Sequence, residues 1–292
     1  MNGTTAAGDE SPRGGRVWLL LLLPALLTLV LVFVLPIAHL AAKSLHPSAG
    51  LGQVGPEFTL ENYAKFFADP FYLYILLDTF ELGFIVVTVC LLLAYPVAYF
   101  LARTRSRWRG IFMFMVIAPL LISVVIRNLG WLPVLGDSGL VNWALTGIGL
   151  VREPLRLVNN FTGVVIGLVH TLLPFMILTL TTVIQRIEPD IEEAAINLGA
   201  SPMQTFWRVV LPLSRPGLLG GYLLVFTMAI SAYTTPSLLG GKRVLVMATY
   251  IDQQVRTVLD YALGATVAVI LMAVAGAVTV IALRQDAKGM PP

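Results

Sequence analysis

Glu192-Glu193-Ala194-Ala195-Ile196-Asn197-Leu198-Gly199-Ala200-Ser201-Pro202, running on to Val210-Leu211-Pro212, is a polar, turn-bearing island between very apolar segments. Pro189 suits the first turn of a short helix, where its missing N–H costs nothing. Asp190, Glu192 and Glu193 follow it, and acids favour the positive start of a helix. Ile191, Ala194, Ala195 and Leu198 share one face at helical spacing. Gly199 supplies a C-cap residue that tolerates positive φ. A second helix opens at once, with Ser201 as N-cap, Pro202 at the first helical position and Gln204 completing a capping box. Met203, Phe206, Val209 and Val210 form its apolar face, and Pro212 and Pro216 limit it. The island therefore reads as helix–turn–helix outside a bilayer, with the turn exposed. On spacing alone an ordinary amphipathic linker is the favoured reading.

The flanks explain why a bilayer enters the reading. The 292 residues are 57% hydrophobic and only 12% charged, about half the charged share of a soluble domain. The apolar residues gather in long runs, the pattern of a polytopic membrane protein. Six spans are expected: Val17–Leu40, Leu76–Leu101, Ile111–Val125, Thr162–Ile184, Pro216–Ala232 and Ala262–Leu283. The fold class is therefore all-α. The first run exceeds the roughly 7–15 apolar residues of a signal peptide, so it reads as an uncleaved helix. Residues 1–16 read as a disordered tail, 41–75 as an outer loop, 76–284 as the membrane core with the island at 188–215, and 285–292 as a second tail.

Arg103, Arg105, Arg107 and Arg109 crowd the short loop between the second and third spans. Positive residues in short loops mark the cytoplasmic side. Both termini and the island then fall inside as well, the island with Arg186, Arg208 and Arg215. Lys242, Arg243 and Arg256 lie in other loops and make the bias uneven. The net charge of +3 implies no nucleic-acid partner, and the lone Cys90 permits no disulfide within the chain.

The island, so placed, resembles the EAA loop of type I ABC importer permeases through Glu193-Ala194-Ala195, Gly199 and Leu211-Pro212. In that family the loop holds a helix that docks in a cleft of the cytoplasmic ATPase. The resemblance assigns energy coupling to Glu193, Ala194, Ala195, Gly199, Ala200, Ser201 and Pro202. Thr59-Leu60-Glu61-Asn62-Tyr63, Leu93–Ala102, Glu153–Leu157, Leu172–Leu178 and Thr235–Gly241 resemble the spermidine/putrescine-type subfamily, over about residues 59–285. What the resemblance implies is a binding-protein-dependent importer of the bacterial inner membrane. Its further parts are a second permease forming a heterodimer, ATP-binding subunits that use ATP and Mg, and a periplasmic substrate-binding protein. Related permeases serve iron(III), phosphonates, opines and other small solutes.

No phosphate-binding G-x-x-x-x-G-K-[ST] is present, since Gly241-Lys242 is followed by Arg243 and position 236 is proline. No H-E-x-x-H and no G-x-S-x-G occurs, so no catalytic residue, metal ligand or bound cofactor is expected on this chain. Acids at a membrane edge are functional candidates. Asp78 and Glu81 lie three apart near the outer end of the second span, where two carboxylates attract an organic cation. Pairing with a loop arginine such as Arg127 is the plainer alternative. Asn128 and Trp131 end the third span, and Tyr233 and Thr234 the fifth. Aromatic rings beside carboxylates suit ammonium groups, and rings at these positions also serve as interface anchors. An ion-coupled secondary transporter is the rival class. It calls for repeated halves and broken helices, and no repeat is visible.

Overall fold

The computed structural model describes residues 22–289, with side chains described as far as Arg284. The expected tail at 1–16 and the first residues of the first span lie outside that range. Helix α1 is Leu22–Ser44. A small hairpin follows, β1 (Ser48–Gly50) and β2 (Gln53–Val54), and then α2 (Glu61–Ala68) and α3 (Pro70–Arg103). The chain continues through α4 (Arg109–Ile117), α5 (Val124–Leu135), α6 (Leu140–Gly147) and α7 (Phe161–Arg186). Helices α8 (Pro189–Asn197) and α9 (Pro202–Leu213) form the island. Last come α10 (Arg215–Ile230), α11 (Met247–Gln253) and α12 (Tyr261–Gly289).

Among the described residues four helices, α1, α3, α7 and α12, are long and apolar enough to cross a bilayer alone. Two bent pairs bring the total to as many as six, in keeping with the all-α expectation. The third span departs from the expected Ile111–Val125. Helix α4 tightens into a 3₁₀ turn at Ala118–Leu121, breaks at Ile122–Ser123, and restarts as α5 at an angle of 97°. Pro119 accounts for part of this, because it removes one donor from the ladder. Asn128 and Trp131 therefore sit on a separate helix, not at the end of a span. The segment expected as the 41–75 loop holds the end of α1, the hairpin, α2 and the start of α3.

Helix α3, α7 and α10 pack on one another and make the core, with Val86, Val87, Cys90, Leu168, Met176, Leu180, Val225 and Phe226 buried between them. At 34 residues α3 is about 51 Å long, so it outruns the hydrocarbon layer. Close approach of α7 and α10 depends on glycine. A Cβ on Gly217 would sit 2.5 Å from Val183 Cβ, and one on Gly221 2.9 Å from Met176 Sδ. Gly217→Leu is accordingly expected to lower the thermal midpoint of the purified protein by about 5 °C, equivalent to 1–3 kcal/mol of overpacking. An unchanged melting curve would show that the helices separate without cost. The similar Ala273 and Ala277 pair, by contrast, lies on an exposed face of α12.

Helix α1 joins this core only through its last third, against α12. Residues 22–36 are exposed on every side. Thr266 Oγ1 donates to Ser44 O at 3.2 Å, and Gly52 N–H to Leu259 O at 2.8 Å, which fixes the hairpin at the α12 start.

Candidate functional site

Helices α8 and α9 project as an arm from one end of the bundle, between α7 and α10. Each local expectation for this arm has a counterpart in the backbone. Gly199 stands at φ +92°. Its N–H reaches Ile196 O at 2.9 Å, and the next N–H, of Ala200, reaches Ala195 O at 3.1 Å. The open carbonyls at the end of α8 are thereby closed. Ser201 Oγ accepts from Gln204 N–H at 3.3 Å, and Gln204 Oε1 accepts from Ser201 N–H at 2.9 Å, completing the capping box. Pro212 has no N–H for the carbonyl four residues back, and the turn before it widens into a π turn at Phe206–Val210.

The arm is tied to α3 by residues four apart on one helical face, Tyr95, Tyr99 and Arg103. Tyr95 Oη and Ser214 Oγ share a hydrogen bond of 2.7 Å. Phe206 meets the edges of Tyr95 and Tyr99 at 5.2 and 6.0 Å between centroids. Glu192 is 9% exposed. Its Oε2 accepts from Tyr99 Oη at 2.8 Å. Its Oε1 accepts from Arg103 Nε at 2.8 Å and from Arg103 Nη2. A paired and fully hydrogen-bonded carboxylate is the form in which a charge is tolerated inside a protein.

Glu193, the acid singled out by the sequence, is exposed, as are Ala194, Gly199, Ser201 and Pro202, while Ala195 and Ala200 are half-buried. The expected apolar face of α8 exists but points outward. Ile191, Ala194 and Leu198 of that face are exposed, Leu198 at 90%, with only Ala195 half-buried, and Ile196 adds a further exposed apolar side chain. Met203 and Trp207 extend the same apolar surface along α9, so of the expected α9 face only Phe206, Val209 and Val210 turn toward the bundle. Glu192, Tyr99 and Arg103 were not among the expected site residues. The four-residue spacing of Tyr95, Tyr99 and Arg103 is the signal that points to them.

The expected substrate-facing residues divide into separate places. Asn128 is buried and its Nδ2 donates to Thr235 Oγ1 at 2.9 Å. Trp131 Nε1 donates to His170 Nδ1 at 3.1 Å. These four form a seam between α5, α7 and the turn after α10. Asp78 and Glu81 are exposed on α3, each followed by a buried residue, Thr79 and Leu82. They do not pair with Arg127, whose Nη2 donates to Pro119 O and to Ile122 O, the carbonyls opened by the break before α5. Tyr233 is exposed and Thr234 half-buried at the end of α10.

A bundle of membrane-length helices, bearing at one end a capped two-helix arm with an apolar outer surface, defines a membrane protein with an exposed two-helix projection. Residues 94–286 match the family described as binding-protein-dependent transport system inner membrane component. The chain belongs to that family. It is 36% identical over 227 residues to the spermidine/putrescine transport system permease protein PotB of Salmonella typhimurium, covering 78% of this chain and 79% of that one. It is also 36% identical to PotB of Escherichia coli K12, covering 75% and 79%. Against a solved bacterial ABC transporter involved in the import of the acidic polysaccharide alginate, the TM-score is 0.75 at 20% identity, over 95% of this chain and 98% of that chain. That likeness carries the fold, and the chain is an ABC importer permease.

Proposed function

We propose that this subunit imports polyamines, or a similar small cationic amine, by alternating access driven by a separate ATPase. The observation that carries the mechanism is the arm, whose base is locked to α3 through Glu192 and whose tip presents Leu198, Met203 and Trp207 to a partner. Apolar surface of this kind on a rigid element marks a protein contact. The ATP-binding subunits would take the tip in a cleft and hydrolyse ATP with Mg. Their closure would move the arm, and α3 with it. A second permease completes a heterodimer around the path, and a periplasmic binding protein delivers the amine. Both termini and the arm lie on the cytoplasmic side, in line with the arginines at 103–109.

The amine itself is read from the PotB relatives and from chemistry. Asp78 and Glu81 offer exposed carboxylates toward the outer end of α3, where an ammonium ion is first met. Tyr233 and Thr234 offer a ring and a hydroxyl after α10, and Trp131 a half-buried ring on α5, while the enclosed Asn128 holds Thr235 in place. The test is uptake of labelled putrescine and spermidine into proteoliposomes holding the whole transporter. Uptake should require internal ATP and the binding protein, and Asp78→Asn/Glu81→Gln should raise the half-saturating amine concentration about tenfold, as for loss of charged contacts worth 1.4 kcal/mol. Uptake that ignores ATP and collapses with an uncoupler would assign the chain to ion-coupled transport.

A further inference from the structure

The end of the bundle opposite the arm carries cations that the charge bias of membrane loops does not explain. Lys and Arg concentrate on the cytoplasmic side of a polytopic protein, and here that is the arm side. Arg156, before α7, and Lys242 and Arg243, after the turn at Pro236–Gly240, converge instead on one cleft of about 670 Å³ at the far end. All three are exposed. Asp137 lines the same cleft, yet the ion pairs among the described residues are Arg103–Glu192 and Arg256–Asp252 alone. Three cations thus face one carboxylate without pairing to it, while Arg256, on the segment before α12, is neutralised within the chain.

The loops that carry these cations are pinned to each other. Asn159 stands at φ +56°, and its N–H donates to Leu239 O at 2.7 Å. Gly241 stands at φ +55°, and a Cβ there would lie 2.5 Å from Asn159 Oδ1. Asn160 caps α7 through Gly163 N–H at 2.8 Å. The backbones that carry the charges are therefore fixed before any partner arrives, which reduces the ordering cost of binding. Their sign repels an ammonium substrate, so the cleft is not where the amine sits. What it fits is a row of carboxylates on a rigid surface.

We propose that this cleft is the docking seat for an acidic lip of the substrate-binding protein. The assignment rests on the importer reading above and adds the surface and the sign of its charge. Attraction here orients the delivering protein and speeds its encounter, while the amine passes beside the cleft.

The test uses the whole transporter in nanodiscs of phosphatidylcholine, which carries no net charge, and the purified binding protein of the same system. The readout is the binding-protein concentration that gives half-maximal stimulation of ATP hydrolysis. The triple variant Arg156→Glu/Lys242→Glu/Arg243→Glu should raise it about tenfold at low salt. High salt should bring the unaltered transporter toward the variant's value. Hydrolysis without binding protein should be equal in both, which shows the variant is folded and coupled. Arg156→Lys/Arg243→Lys should behave as the unaltered chain. An unchanged half-maximal concentration overturns the docking assignment and leaves the importer reading intact. So does an effect that appears only when anionic phospholipid is added, which would give the cleft to lipid headgroups. Failure of the unaltered transporter to respond to the binding protein overturns the importer reading itself.

Discussion

Gly199→Val is expected to reduce ATP-driven uptake about tenfold while the protein still inserts in the membrane. The glycine stands at φ +92°, and no atom lies within 4 Å of where a Cβ would be. The penalty is therefore conformational and not steric crowding. A β-branched residue held at positive φ costs about 1–3 kcal/mol, and 1.4 kcal/mol is about a tenfold change in population. The strained turn would open, and α8 would leave its register with α9. The cost falls on the arm alone, because nothing else packs on the residue. Gly199→Asn should keep most of the activity, since asparagine enters the left-handed region more readily. Uptake per unit of inserted protein, with co-purification of the ATPase subunit, checks both. Normal transport by the valine variant would remove the turn from the coupling mechanism.

Glu192→Ala is the second large effect, and it separates two neighbouring acids. Removing this carboxylate leaves Arg103 and Tyr99 with donors aimed at nothing. An unpaired charge in a largely enclosed place costs about 3 kcal/mol, and the base of the arm would loosen from α3. We expect hydrolysis that no longer drives uptake, together with a lower unfolding temperature. Replacing both partners, Glu192→Leu with Arg103→Met, should recover much of the stability, because two apolar groups leave nothing unsatisfied. Recovered stability without recovered coupling would show that the clamp transmits motion. Glu193→Ala is expected to stay within about 0.5 kcal/mol of the unaltered stability while weakening association with the ATPase. A thermal shift for Glu193→Ala as large as for Glu192→Ala would refute the division of roles.

Much of the arm was legible because its determinants are local. Positive φ at Gly199, the Ser201–Gln204 box and the proline after each helix start act within four residues. The long apolar runs likewise declare themselves, since length and hydropathy are properties of a single segment. The break at Ile122–Ser123 was less legible. An apolar run through Ala118, Pro119 and Leu120 reads as one span, and the carbonyls it frees are met by Arg127 only once the chain has folded back.

By itself, then, the sequence determined that the chain forms membrane-length helices, that a capped two-helix arm interrupts them, and where that arm turns. Tertiary structure decided which way the arm faces. Glu192 and Glu193 differ by one step of about 100° around α8, and no local rule ranks them. The choice was made by Tyr99 and Arg103, some ninety residues earlier in the chain, whose positions exist only after α3 has packed on α7 and α10. The same holds at the far end, where Arg156 and Lys242 share a cleft because α7 and α10 bring their loops together. Short-range backbone preferences are written residue by residue, whereas the pairing of charges is set by distances that only the assembled bundle defines.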